Sequence, residues 1–205
     1  MPYIGTFKDS GSQNSFYKVK GKSYGFKSFP NKSLATFAHA VQSELAPYAA
    51  PKVFSPVCRI RVPNYFCDGF DSKGEVKVKT DMVLSNWGYL TEIAKPFNCY
   101  SEDCGGDCAN DDLCPYYEKI QDLLGDMLDH GIEYTDAHGA NLGYVIRNKK
   151  KMLVAIDFGA ESVCVENDDD WPSVCWDGAE DFECSCEQCA KQYEDESARW
   201  GRNYV

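Results

Sequence analysis

Apolar positions along the chain repeat with two periods. Within residues 1 to 29 the β-prone runs Phe16-Tyr17-Lys18-Val19 and Ser23-Tyr24-Gly25-Phe26-Lys27-Ser28-Phe29 predict strands. The turn-rich Asp9-Ser10-Gly11-Ser12-Gln13-Asn14-Ser15 forms a loop before them. From Ser33 to Ala46 the period changes to that of a helix, with the stripe Leu34, Phe37, Val41 and Leu45. Pro30 and Pro47 bound it, and Ser33 is the expected N-cap. Glu44, seven residues after Phe37, falls on or beside the apolar face. Further strands are expected over Lys52 to Arg61 and Val76 to Ala94, with Asn64 to Lys73 as a surface loop between them. A second helix begins at Pro115, follows Tyr117, Ile120, Leu124, Met127 and Leu128, and ends near Gly131. The runs Leu142 to Ile146 and Met152 to Ile156, separated by the polar Arg147 to Lys151, predict a hairpin.

This pattern divides the chain into a strand-rich part with one helix (1–94), a Cys-rich insert (95–114), a helix-plus-hairpin core (115–163) and an acidic Cys-rich segment (164–205). The last of these holds Asp168-Asp169-Asp170, Trp171, Cys175, Trp176 and a final helix reaching about Trp200. At 205 residues the chain can bury a sizeable core, and the class it implies is α+β.

Charge changes the picture. The net charge is -11, yet residues 1–95 carry 13 Lys and Arg against 7 Asp and Glu, while residues 96–205 carry 8 against 25. So acidic a second half argues against general nucleic-acid binding, which rests on Lys and Arg at phosphates. It would favour cationic partners by steering. The plain alternative is that it keeps the protein in solution. The start Met1-Pro2-Tyr3-Ile4-Gly5 has no secretory pattern, and no apolar run reaches the ~20 residues of a membrane span. A soluble, cytoplasmic protein without a membrane partner is the expectation.

The candidate chemistry sits around the predicted hairpin. In an antiparallel pair the start of the first strand lies beside the end of the second, so Asn141 and Asp157 meet at its open end. An amide oxygen and a carboxylate suit Mg²⁺, which takes one or two protein groups plus substrate phosphates. Asp136, five residues before Asn141, can face the same spot as a base for an attacking hydroxyl. Asp and Asn also favour turns in any hairpin.

The set Asp136, Asn141 and Asp157-Phe158-Gly159 resembles the protein-kinase-like superfamily, whose catalytic loop carries Asp, then Asn five residues on, then a metal-binding Asp-Phe-Gly. His138 gives the Asp-x-His-x-x-Asn form of aminoglycoside phosphotransferases and related atypical kinases. Two positions depart from the protein-kinase pattern: Tyr134 stands where His is usual and Thr135 where Arg is usual, and the missing Arg argues against control by a phosphorylated activation loop. The resemblance implies a compact bilobal fold with an abbreviated C-lobe, since only 46 residues follow Gly159. The small size also resembles compact kinase-like proteins of phages and other viruses, which would place it in a host cytoplasm.

What the resemblance implies can be stated residue by residue. ATP and Mg²⁺ are the expected cofactors. Asp136 is the catalytic base, and His138 could neutralise charge on the γ-phosphate. Asn141 and Asp157 hold metal, and Lys27 holds phosphates. Glu44 positions Lys27, because a carboxylate on a buried face needs a cation. Ser12, Asn14 and Ser15 line the phosphates. Thr91 is a gatekeeper, with the backbone of Glu92 and Ala94 meeting adenine. The expected function is transfer of the γ-phosphate to a hydroxyl, on a protein Ser or Thr or on a cationic small molecule. The rivals are a non-catalytic ATP-binding interaction module and, further off, nucleotidyl transfer.

Eleven cysteines form a separate signal. Their odd number and the missing secretory signal argue against a disulfide framework. Cys104-x-x-x-Cys108 and Cys186-x-x-Cys189 could supply two thiolates each to Zn²⁺. Their spacing is not that of a zinc ribbon, and small buried or free thiols are the alternative.

Overall fold

The structure, a computed structural model, describes residues 6–10, 14–71, 74–97, 109, 112, 114–165 and 171–172. The first part is one antiparallel sheet in the order β1-β2-β3-β5-β4, formed by β1 (Thr6–Ser10), β2 (Ser15–Lys18), β3 (Tyr24–Phe29), β4 (Cys58–Asp71) and β5 (Gly74–Glu92). Helix α1 (Lys32–Leu45) packs on β3 and β5. Its cap is Asn31 rather than Ser33: Asn31 Oδ1 accepts the Leu34 N–H at 2.8 Å, and Ser33 is buried in the first turn. Asn and Ser are equally good caps, so sequence preference could not choose between them.

Two strand expectations need correction. Asn64 to Lys73 is not wholly a loop, because β4 runs on to Asp71 with register shifts between Pro63 and Tyr65 and between Cys67 and Phe70. Bulges let a strand absorb a proline or a glycine. Conversely, Lys52 to Val57 is irregular, bridged to β5 only through Val53 and Thr91. Pro51 and Pro56 lack the N–H groups a ladder needs.

The second part holds β6 (Lys95–Pro96), α2 (Tyr117–Leu128), β7 (Ile132–Tyr134), a 3-10 turn (Gly139–Asn141), β8 (Leu142–Arg147), β9 (Lys150–Ala155) and β10 (Val163–Val165). β6-β8-β9 make one small sheet and β10-β7 another. Helix α2 starts two residues after Pro115, buries Ile120, Leu123 and Met127, and exits through Gly131 at φ 70°. The β8–β9 turn is tighter than the polar run suggested. Arg147 pairs with Lys150, and Asn148 and Lys149 both take positive φ, 50° and 63°, as a two-residue hairpin with right-handed twist requires.

One core joins the two parts: Phe29, Phe37, Val41, Leu45 and Tyr89 on one side meet Ile120, Met127, Ile132, Leu142 and Phe158 on the other. The mixed helix-and-sheet class expected from the sequence is therefore observed.

Candidate functional site

Lys27 is where the two parts face each other. On β3 it lies opposite Tyr89 of β5, and Gly88 beside it has no room for a side chain, since a Cβ there would come 1.9 Å from the Lys27 carbonyl oxygen. The Lys27 side chain is buried, 5% exposed, and its Nζ has no hydrogen-bond partner among the described residues. The ammonium stands 5.2 Å from the centre of the Phe158 ring. Burial lowers its pKa, and Asp157 opposes that by raising it. An unpaired buried cation is unfavourable unless a ligand supplies oxygens.

The open end of the β8–β9 hairpin is built as the alternation required. Asn141 ends the 3-10 turn, and Ile156 N donates to its carbonyl at 2.9 Å, which fixes Asp157 beside it. Asp157 Oδ1 accepts from Gly159 N at 3.1 Å and from Asn14 Nδ2 at 2.9 Å. Asn141 Nδ2 donates to the Asp136 carbonyl at 3.1 Å and to Asp136 Oδ2 at 2.7 Å. That leaves the amide oxygen of Asn141 outside the pair.

His138 is turned toward Asp136, with Nε2 3.5 Å from Oδ1. Its Nδ1 accepts the Ala140 N–H at 3.2 Å, capping the 3-10 turn, so the proton resides on Nε2. The ring thus lies against Asp136 and can steady its carboxylate. Asp136 and His138 are both about half exposed, at 46% and 45%, so the carboxylate is open to an incoming group.

Glu44 requires the largest correction. It does not reach Lys27. It is 53% exposed and lies 3.2 Å from His130 Nδ1 at the end of α2, where Tyr48 stacks on the same imidazole. The buried face of α1 is centred nearer Ala38 and Val41 than Phe37, which puts Gln42 inside and leaves Glu44 at the margin, one residue from the helix end. Gln42 donates to Pro51 O at 2.9 Å and Thr91 Oγ1 at 2.6 Å and accepts from the Tyr89 hydroxyl at 2.8 Å.

Of the other expected residues, Ser15 is half-buried opposite Ser28. Thr91 is buried, with its hydroxyl on Lys52 O. The Glu92 amide is spent on Lys52 O at 2.8 Å, and its carboxylate takes Lys52 N and Arg147 Nη2, each at 3.1 Å. Its N–H is thus unavailable to a base edge. Ala94 is half-buried against Gly143. Ser12, Cys104, Cys108, Cys186 and Cys189 lie outside the described residues.

Three contributors escaped the sequence reading. Tyr134, buried on β7, donates its hydroxyl to the Asn141 carbonyl at 3.3 Å and packs against Phe158. Burial first, then Asp157 and Asp136, holds its pKa well above the usual phenol value, so it stays a donor. Tyr89 is raised in the same way by burial and then Asp157. Arg147 donates to the carbonyls of Ala46 and Ala50 and to Glu92, tying the β8–β9 hairpin to the end of α1 and the end of β5. The readable signal was a lone Arg closing an otherwise apolar strand.

No family model matches the chain, and no curated protein matches it. Among solved structures it is similar to the PK-1 kinase of Cydia pomonella granulovirus, at 16% identity and a TM-score of 0.45 over 80% of this chain and 55% of that one. It is also similar to WaaP in complex with acyl carrier protein, at 14% identity and a TM-score of 0.40 over 79% of this chain and 63% of that one. The chain thus spans between about half and two thirds of the chains it matches. No helix among the described residues is long and apolar enough to cross a membrane.

Proposed function

We propose that this chain is an ATP-dependent phosphotransferase that moves the γ-phosphate of ATP to a hydroxyl, with a protein Ser or Thr as the leading acceptor. The carrying observation is Lys27, a buried ammonium without a hydrogen-bond partner that feels the charge of Asp157. Phosphate oxygens are the ligand that would satisfy it. Asn141 and Asp157 offer hard oxygens beside it and would hold Mg²⁺, and the residues present fit that ion. Bound there, Mg²⁺ would supply neutralisation of phosphate charge.

The chain's own groups do the rest. Lys27 holds α- and β-phosphate oxygens, and Asn14 and Ser15 border the same space. Asp136, fixed by Asn141 and steadied by His138, orients the acceptor hydroxyl and takes its proton, a role worth roughly 10²–10⁴-fold in rate. Glu44 has no part in this arrangement, because its carboxylate pairs with His130 instead.

A cationic small molecule is the second acceptor class. It is favoured by the half-exposed Asp136 and by the 25 acidic residues of positions 96–205. Incubation with γ-labelled and α-labelled ATP, Mg²⁺ and cell extract, beside an Asp136→Ala control, tests the proposal. Transfer of γ-label to protein that Asp136→Ala abolishes supports it, and γ-label on a small cation selects the second class. Transfer of α-label means nucleotidyl transfer. ATP binding with no transfer at all means a binding module.

A further inference from the structure

Asn14 stands immediately before β2, yet its side chain reaches Asp157, 143 positions away, and donates to Oδ1 at 2.9 Å from a partly buried position. That is the carboxylate whose charge Lys27 feels and to which the proposed function assigns a cation. Among the described residues no group of three or more His, Cys, Asp or Glu side chains is placed to hold a metal. A hard cation at Asp157 must therefore complete its oxygen shell from amides, phosphates and water. Two amides are at hand, those of Asn141 and Asn14. The first was expected from the sequence as a metal ligand; the second, expected only at the phosphates, stands just before β2, a strand of the sheet that carries Lys27.

We propose that Asn14 is a switching cation ligand, an inference that rests on the nucleotide-and-metal reading of the site. With no cation its Nδ2 donates to Asp157; with one, the amide turns half a revolution about its terminal torsion and presents Oδ1. The two ends of a planar amide occupy near-equivalent positions, so the exchange requires no backbone movement.

The test is binding of a non-hydrolysable ATP analogue by the full chain, measured with Mn²⁺ and again with EDTA, the ratio of affinities giving the cation's contribution. Asn14→Ala is expected to lower that ratio about tenfold, the low end of the loss when a supporting group of a metal site is removed. Asn14→Asp, which keeps an oxygen donor, is expected to match or exceed the wild-type ratio. A ratio in Asn14→Ala equal to or above wild type, while Asp157→Ala still abolishes it, overturns the inference alone and leaves Asn14 as a latch that competes with the cation. A ratio indifferent to Asp157→Ala overturns the metal reading together with the inference.

Discussion

Replacing Lys27 with Met should make the nucleotide-free protein more stable while removing its function. Met keeps an unbranched apolar stem of similar length and drops the ammonium. In the parent, Nζ has no hydrogen-bond partner among the described residues, which costs roughly 1–3 kcal/mol for a neutral donor and more for a charged one. The Phe158 face 5.2 Å away returns part of this, about 0.5–2 kcal/mol, and Asp157 returns a further part. Burial nevertheless outweighs Asp157 in setting the direction of the Lys27 pKa shift. The net is therefore a gain of about 1 kcal/mol for the variant, or about 2–4 °C in Tm at this chain length. The pH dependence follows from the same shift. Between its lowered folded value and the ordinary 10.5, the unfolded chain holds a proton on Lys27 that the folded chain does not. Wild-type stability should therefore rise with pH through that window, and this contribution should be absent from Lys27→Met. With nucleotide the order reverses. Mg·ATP at 100 times its Kd stabilises wild type by about 2.7 kcal/mol, and the variant should lose most of that. Urea denaturation with and without Mg·ATP reads both effects. A variant less stable than wild type without nucleotide, or equally stabilised by it, would refute the reasoning.

Two further substitutions separate the described contacts from the expected ones. Glu44→Gln should leave phosphotransfer within about twofold and change stability by less than about 1 kcal/mol, because its pair with His130 is exposed; a tenfold loss of transfer would restore Glu44 as the partner of Lys27. Arg147→Leu should destabilise by about 3–5 kcal/mol in urea denaturation, since it leaves the mostly buried Glu92 without its cation. Adding Glu92→Gln should recover part of that loss, and full additivity of the two would contradict the pairing.

The hairpin and what surrounds its open end were legible because both depend on local rules. Alternation sets which residues face each other, so Leu142 to Ile156 placed Asn141 beside Asp157 without reference to the remainder of the chain. Lys27 was reached through the resemblance and through an expected pair with Glu44 that does not form. Glu44 was misplaced for a physical reason: a stripe fixes which face of a helix is buried but not where along its length the neighbour ends. At the end of α1 the neighbour is the end of α2, not β3. Gln42, the polar residue inside the stripe, had the better claim to burial. The contacts of Arg147 and Asn14 were beyond local rules, because their partners lie 55 to 143 positions away; the sequence placed Asn14 only at the phosphates. The 64–71 strand was lost to Pro63 and Gly69, which speak for a loop until a bulge accommodates them.

The structure of this chain with Mg²⁺ and a non-hydrolysable ATP analogue tests the central claim most directly. The account predicts a phosphate oxygen within hydrogen-bonding distance of Lys27 Nζ and the cation on Asp157. A nucleotide bound elsewhere, with Lys27 still lacking any partner, would contradict it.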